Sequence, residues 1–459
     1  MRLILALLFL FATADFLSAN PQNDENRPAT VSEFLGINTY NIQFKPELFS
    51  PVFRHVRDYH AFDLDVGDDT SNPTTFPMAR KHITWEDQSG KVGDFDGYFN
   101  WQEIYQSWID HGFTTSASLM FVHMLPDDWT NLEEDAYNYG KAFASFFGPN
   151  GHNLIGSVEL GNEPTPSWDE EDYARMFPHL ARGLRDGDPD LKIVTPAVTA
   201  GQTNPHILPL QMFEDYTDLF DVIKMHVYSM DGPYPTQHRT WPESRSTDYL
   251  QTIRETKRWR DRHAPGKPIW IGEFGYDAAR TPAGRSPRTG WENVTELVQA
   301  QWLVRSVFEF MNLGVERGYV FWFNDEDRHG YHGASGIMRF NEPKKSFFAL
   351  RQLQESLGDY HFNHVIMRDS YELHIYEFVH KDDPEKLAWI AWEPTGKTQP
   401  RDVNPVQLRT MFFPGVIERA EGMATEDGPA PRHEFQQSSE GLVQAEIGES
   451  PVYFFGRRE

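Results

Sequence analysis

Leu154-Ile155-Gly156-Ser157-Val158-Glu159-Leu160-Gly161-Asn162-Glu163-Pro164 decides how the chain is read. The apolar run that opens it, Leu154 to Val158, has the length and composition of a buried strand. Gly161 and Pro164 then stop regular structure. A carboxylate, Glu163, therefore sits at the C-terminal tip of a strand with the amide of Asn162 beside it. A second tip of the same kind follows 110 residues later, at Pro268-Ile269-Trp270-Ile271-Gly272-Glu273-Phe274-Gly275.

Outward from these two tips, short apolar runs alternate with longer amphipathic stretches, the texture of repeated βα units. Eight strands are expected, at 33–38, 55–62, 114–121, 154–160, 191–197, 222–228, 268–272 and 318–323. Amphipathic helices are expected near 101–111, 170–186, 248–263 and 294–313, with a closing helix near 345–357. This pattern predicts an α/β fold, a (β/α)8 TIM barrel. A doubly wound open sheet is the competitor, weakened because no Gly-rich phosphate loop follows the first strand. In a barrel the C-terminal strand ends share one rim, so Glu163 and Glu273 would face each other there.

Past residue 358 the texture changes. Residues 371–378, 387–392 and 451–455 read as short strands between Gly, Pro and Asp turns, a small C-terminal β-sandwich. The expected organisation is thus a leader at 1–19, a polar disordered lead-in at 20–30, a catalytic barrel at 31–358 and the sandwich at 359–459. The leader rests on Arg2, an apolar run from Leu3 to Ala12 and the small-residue exit Leu17-Ser18-Ala19, which together read as a secretory signal peptide. That run is too short for a membrane span, so no membrane is expected to hold the mature form. A secreted or periplasmic location follows.

The net charge of -26 argues against nucleic acid and anionic membrane as partners. With no Cys in the sequence, disulfides, thiol catalysis and Cys-ligated metals are excluded. The 13 Trp, 18 Tyr and 34 Phe supply either a large core or flat platforms for sugar rings. Composition carries no signal for oligomeric state.

Two glutamates on two strand ends are the groups that breaking a glycosidic bond requires. The motifs Asn162-Glu163-Pro164 and Gly272-Glu273-Phe274-Gly275 resemble the acid/base and nucleophile motifs of the retaining glycoside hydrolases of clan A. His226-Val227-Tyr228 is similar to that clan's strand-six motif, Trp322 to its strand-eight tryptophan, and Ser450-Pro451-Val452-Tyr453 to the end of the sandwich beside several such barrels. The resemblance implies a retaining β-glycosidase acting on a carbohydrate; no cofactor is expected, and no metal, since His-rich zinc spacing is absent. It implies Glu163 as acid and then base, and Glu273 as nucleophile. Asn162 would bond the sugar 2-hydroxyl, Tyr228 would orient the nucleophile, His226 would contact sugar or acid/base, and Trp322 would floor the subsite of the cleaved sugar. A transglycosylase and a non-catalytic carbohydrate-binding barrel are the alternatives, and a metal-dependent esterase a distant fourth.

Other candidates come from position alone. Arg57 and His60 on the second strand, Asn38 and His123 at the ends of the first and third, and Trp241 and Trp291 in rim loops are candidate substrate contacts. Glu159 is expected as an ion-pair partner inside the barrel rather than a reactant. Acidic clusters at Asp63-Leu64-Asp65 with Asp68-Asp69, and at Asp94-Phe95-Asp96, read as solvated loops rather than calcium sites. Arg239, Arg245, Arg280, Arg285 and Arg288 in the loops after strands six and seven are unexpected on so acidic a chain. They raise the expectation of a β-linked polysaccharide bearing sulfate or uronate, with Arg285 as its test position. Long loops favour a cleft and internal cleavage.

Overall fold

The computed structural model describes residues 27–458, apart from 67–69, 72–75, 87–91, 122–123, 166, 201–206, 233–236, 281–292, 329, 370–371, 395–402 and 440. The expected leader lies outside these residues. Eight parallel strands close on themselves: β1 (Leu35–Thr39), β2 (His55–Ala61), β3 (Thr114–Met120), β4 (Ser157–Glu159), β5 (Lys192–Thr199), β6 (Val222–His226), β7 (Ile269–Phe274) and β8 (Arg317–Val320). β1 pairs with β8 through Leu35 and Gly318, and β4 with β5, so no sheet edge is left open in the barrel. Most barrel strands are buried along their whole length, as expected where helices cover one face and the interior fills the other.

Among the described residues, six helices of ten or more residues pack outside: α1 (Trp101–Asp110), α2 (Leu132–Phe147), α3 (Glu170–Gly187), α4 (Tyr249–His263), α5 (Glu296–Asn312) and α6 (Lys345–Leu357). Asn100, Asp169 and Thr295 cap α1, α3 and α5 by accepting hydrogen bonds from first-turn amides. Strand and helix positions agree with the sequence reading to within a few residues, with four differences. The first strand is expected from residue 33, but Thr30 and Glu33 form a reciprocal capping box, so Val31–Phe34 is a helical turn and the strand starts at Leu35. α2 was not anticipated. Neither was a hairpin of Met78–Glu86 with Val92–Asn100 between β2 and α1. Between β5 and β6 the connection is a 3-10 segment, Leu210–Tyr216, rather than an α-helix.

The C-terminal part is two facing sheets. One holds β9 (Tyr360–Arg368), β10 (His374–His380), β11 (Asp383–Trp392), β13 (Val416–Gly422) and β16 (Val452–Arg457). The other holds β12 (Val406–Phe412), β14 (Phe435–Gln437) and β15 (Leu442–Gly448). Between them lies a separate apolar cluster that includes Trp389, Phe454, Val443 and Ile447. The sandwich's other face joins the barrel core through Phe378, Trp392 and Tyr453 against Phe308 of α5.

A buried ion network also crosses this boundary. Arg305 of α5 binds both oxygens of Glu243, in the loop after β6, and pairs with Glu449 of the sandwich; Trp392 donates to Glu243 at 2.7 Å. All three charged side chains are at most 4% exposed. A buried pair is costly to break because the survivor stays uncompensated. Glu243→Ala is therefore expected to destabilise the fold by about 3–5 kcal/mol, read as a lowered urea midpoint with unchanged m-value.

Candidate active site

The rim of the barrel carries a cavity of about 1010 Å³ whose walls include Glu163, Glu273, Asn162, His226, Tyr228 and Trp322. Two glycines shape it. Gly161 adopts φ +108°, a turn that L side chains rarely make, and so swings Asn162 and Glu163 off the end of β4. At Gly272 a Cβ would lie 2.6 Å from the Lys224 side chain and 2.9 Å from His226 Nε2. The pairing register of β7 with both neighbours shifts at this point, which sets Glu273 beside His226.

One oxygen of Glu163, one of Glu273 and a ring nitrogen of His226 all lie within 4.8 Å of one another. The surroundings of the two carboxylates differ. Glu273 is 7% exposed and receives three donors: Tyr59 at 2.7 Å and Arg57 at 3.2 Å on Oε1, and Tyr228 at 2.7 Å on Oε2. Three such donors are the ligation of an anion. Glu163 has no cation in direct contact; its side chain is 30% exposed and its Oε1 lies 2.7 Å from His226 Nδ1. Burial in the cavity, then repulsion from Glu273, push its carboxyl group up to about 8, against the opposing pull of Lys224 and Arg57. Burial, reinforced by the Lys224 and Arg57 charges, holds His226 well below the ordinary histidine range, so its ring is neutral near pH 7.

Beneath the pair lies a barrel-interior charge network. Arg57 Nε reaches both oxygens of Glu159 at 2.8 and 2.9 Å, and Lys224 pairs with the same carboxylate at 2.5 Å. Although burial opposes ionisation, Arg57 and Lys224 hold Glu159 down to about 2. Glu159 is thus the internal ion-pair partner expected. Arg57 also donates to Asn162 Oδ1 and Asn38 Oδ1, both at 2.7 Å, while Asn38 Nδ2 donates to the Gly272 carbonyl at 2.9 Å. Arg57 and Asn38 therefore brace the site from below.

Several candidates fall elsewhere. His60 is a correction. Successive strand residues alternate faces, so Arg57 and Tyr59 point into the barrel while His60 points to the helices. There it is fully buried, stacked on Trp101, and bonded to Asp65 and to Tyr105, each at 2.6 Å. Asp65 accepts also from Trp101 and Tyr139, so it is a structural carboxylate rather than part of a solvated loop. Trp241 is a second correction: its ring packs against the core and is not among the cavity-lining residues. Of the rim arginines, Arg239 is buried under Tyr228 and paired with Asp277 at 3.1 Å, and Arg280 is exposed near Glu342. His123, Trp291, Arg285, Arg288, Asp68 and Asp69 lie outside the described residues, as do the side chains of Asp94 and Asp96. Among the described residues lining the cavity there is no Arg or Lys.

The sequence reading missed Tyr59, Tyr40, Tyr331 and His332, all of which line the cavity. Tyr59 was recoverable, since it lies two residues from Arg57 on one strand. Tyr59→Phe removes one hydrogen bond to a charged group, so kcat is expected to fall about 10- to 100-fold with the fold intact; steady-state rates beside a melting curve measure it.

Among the described residues, two clusters of His and carboxylates are close enough to hold a metal: Glu163, His226 and Glu273, and separately Glu243, Glu309 and His374. In the first, Glu273 is already filled by Arg57 and two phenols. In the second, Arg305 and Trp392 occupy Glu243, and Arg368 and Tyr376 occupy Glu309. Neighbouring guanidinium charge disfavours a cation at both.

The family model for glycosyl hydrolases family 39 matches residues 159–406, from Glu159 through both strand-end glutamates into the sandwich. The chain belongs to this family. Solved structures similar to this family 39 member include a family 39 glycoside hydrolase from Bacteroides cellulosilyticus WH2, with 14% identity, TM-score 0.64, and coverage of 94% of this chain and 82% of that one. The family 30 subfamily 8 xylanase Xyn30A from Clostridium acetobutylicum has 13% identity, TM-score 0.55, and coverage of 92% and 96%. A family 51 arabinofuranosidase from Xanthomonas axonopodis pv. citri has 10% identity, TM-score 0.59, and coverage of 94% and 98%. At these identities the likeness is one of fold. The clan resemblance read from the motifs holds, and this family 39 chain is a retaining O-glycosyl hydrolase.

Proposed function

We propose that this enzyme cleaves a β-linked oligo- or polysaccharide by double displacement, with Glu273 as nucleophile and Glu163 as acid/base. The observation that carries the reading is the approach of the two carboxylates to within 4.8 Å across the cavity. A gap near 5 Å suits direct attack by one carboxylate, whereas an inverting enzyme needs roughly 6.5–9.5 Å to admit a water. In the first step a Glu273 oxygen bonds to the anomeric carbon, the bond from that carbon to the glycosidic oxygen breaks, and the Glu163 proton passes to the leaving oxygen. In the second, Glu163 takes a proton from water, the water oxygen bonds to the anomeric carbon, and the bond to Glu273 breaks.

The protein's other groups have assignable parts. Arg57 fixes the Asn162 amide oxygen, which leaves the amide nitrogen as the donor for a sugar hydroxyl. Trp322 offers its ring to the sugar held between the carboxylates. Carboxylates and uncharged groups line the described cavity, so the sugar at the cleavage point is neutral. Export through the leader at 1–19 fits a polysaccharide substrate; the N-terminal residue of the mature protein tests it.

Proton NMR of the first product, before mutarotation, tests the mechanism. The β-anomer of the released sugar is expected. An α-anomer would contradict double displacement, and transfer to an added acceptor sugar would mark a transglycosylase.

A further inference from the structure

Beside the catalytic cavity lies a second, smaller one of about 310 Å³ where α4 and the loop after β6 meet the sandwich. Thr247 and Asp248 line both, so one loop forms a shared wall. The charged lining of the second cavity is three guanidinium groups, Arg245, Arg254 and Arg368, against two carboxylates, Glu243 and Asp248, with His374 beside them. The main cavity has no such cation among its described residues, and the whole chain carries a net charge of -26.

The groups here are unequally satisfied. Arg368 is held by Glu309, with NH2 at 2.8 Å from Oε2. His374 is 1% exposed; its Nδ1 lies 3.3 Å from Glu309 and its Nε2 has no hydrogen-bond partner. Arg254, half-buried on α4, has no ion-pair or hydrogen-bond partner for its guanidinium among the described residues. Burial and the facing Arg368 charge both disfavour its cation, and Glu309 offsets this only in part. Guanidinium groups gathered around a pocket, one of them unpaired, match the planar oxygens of a carboxylate or sulfate. One wall of the pocket is braced. Glu243, on the loop segment that forms its wall, is locked by Arg305 and Trp392.

We propose that this junction pocket is a distal subsite for an anionic substituent, a uronate carboxylate or a sulfate, on a glycan whose neutral backbone is cut between Glu163 and Glu273. The proposal rests on the glycosidase reading above and names its substrate class. It places an anionic contact at the barrel–sandwich junction and uses Arg245 of the five arginines the sequence singled out; Arg285 and Arg288 lie outside the described residues.

Two measurements test it. At fixed ionic strength, sodium sulfate or sodium glucuronate is expected to raise the Tm of the wild-type protein by about 2 °C or more over sodium chloride, and Arg254→Met is expected to abolish that rise. A response to glucuronate alone identifies a uronate, and one to sulfate alone a sulfate ester. A response no larger than that to chloride, or one that survives in Arg254→Met, overturns the site. The second measurement uses polysaccharides that share one backbone, in native form and after carboxyl reduction or desulfation. The anionic form is expected to have about a tenfold higher kcat/KM, falling to near parity in Arg254→Met, with the neutral form unaffected. Equal loss on both forms would make Arg254 merely structural. If no glycan is hydrolysed while the Tm response persists, the glycosidase reading fails and the anion site stands.

Discussion

Glu273→Ala is expected to lower kcat by at least about 10⁴-fold, with activity restored by azide. The carboxylate sits under three donors, Arg57, Tyr59 and Tyr228, all of which remain when it is removed. Their arrangement is suited to an anion, and the deleted side chain leaves room for one. Azide bound there can attack the anomeric carbon from the face Glu273 used, giving a glycosyl azide of inverted configuration. Arg57 keeps Glu159 as a partner in the variant, so the barrel stays charge-compensated and folding is preserved. NMR of the azide adduct is the decisive readout. An unaltered rate, or an azide product of retained configuration, would remove Glu273 from the nucleophile's role.

Glu163→Gln is expected to cut kcat by about 10²–10⁴-fold on substrates with poor leaving groups and far less on an activated aryl glycoside. The pH profile gives the sharper signature. Burial and the Glu273 charge push the Glu163 carboxyl group up to about 8, so the proton donor is loaded through neutral pH. Activity of the wild type falls as pH rises past that value, and this alkaline limb should vanish in the variant. The same shift has a stability consequence. A carboxyl group whose pKa is higher folded than unfolded contributes stability below its unfolded value, and that contribution is lost as pH rises through the folded value. The Tm advantage of Glu163→Gln over wild type should therefore grow from pH 5 to pH 9. A constant difference across that range would mean that folding does not raise the Glu163 carboxyl group.

The local order of residues was enough to predict the barrel and to place Glu163 and Glu273 on one rim. Strand-length apolar runs ending in Gly-Asn-Glu-Pro and Gly-Glu-Phe-Gly define strand tips from nearest-neighbour chemistry, and a closed barrel brings every such tip to one rim. Asn162, His226 and Tyr228 were legible as cavity residues, because each lies at or just past a strand's C-terminal end, whereas Arg57 and Asn38, expected to meet substrate, are fully buried and brace the site from below. Only the tertiary structure decided which face of a strand a side chain takes and what meets it there. His60 and Tyr59 are neighbours on β2, yet the pleat sends one to Asp65 among the helices and the other to Glu273. The arginines divide the same way. Arg239 is spent on Asp277 and an aromatic stack, while Arg254 and Arg368, 114 residues apart in sequence, line one pocket. Such pairings are set by the docking of the sandwich on α4 and α5, a contact between surfaces distant along the chain. No periodicity or local motif encodes it, because the free energy that fixes it comes from burying both surfaces together.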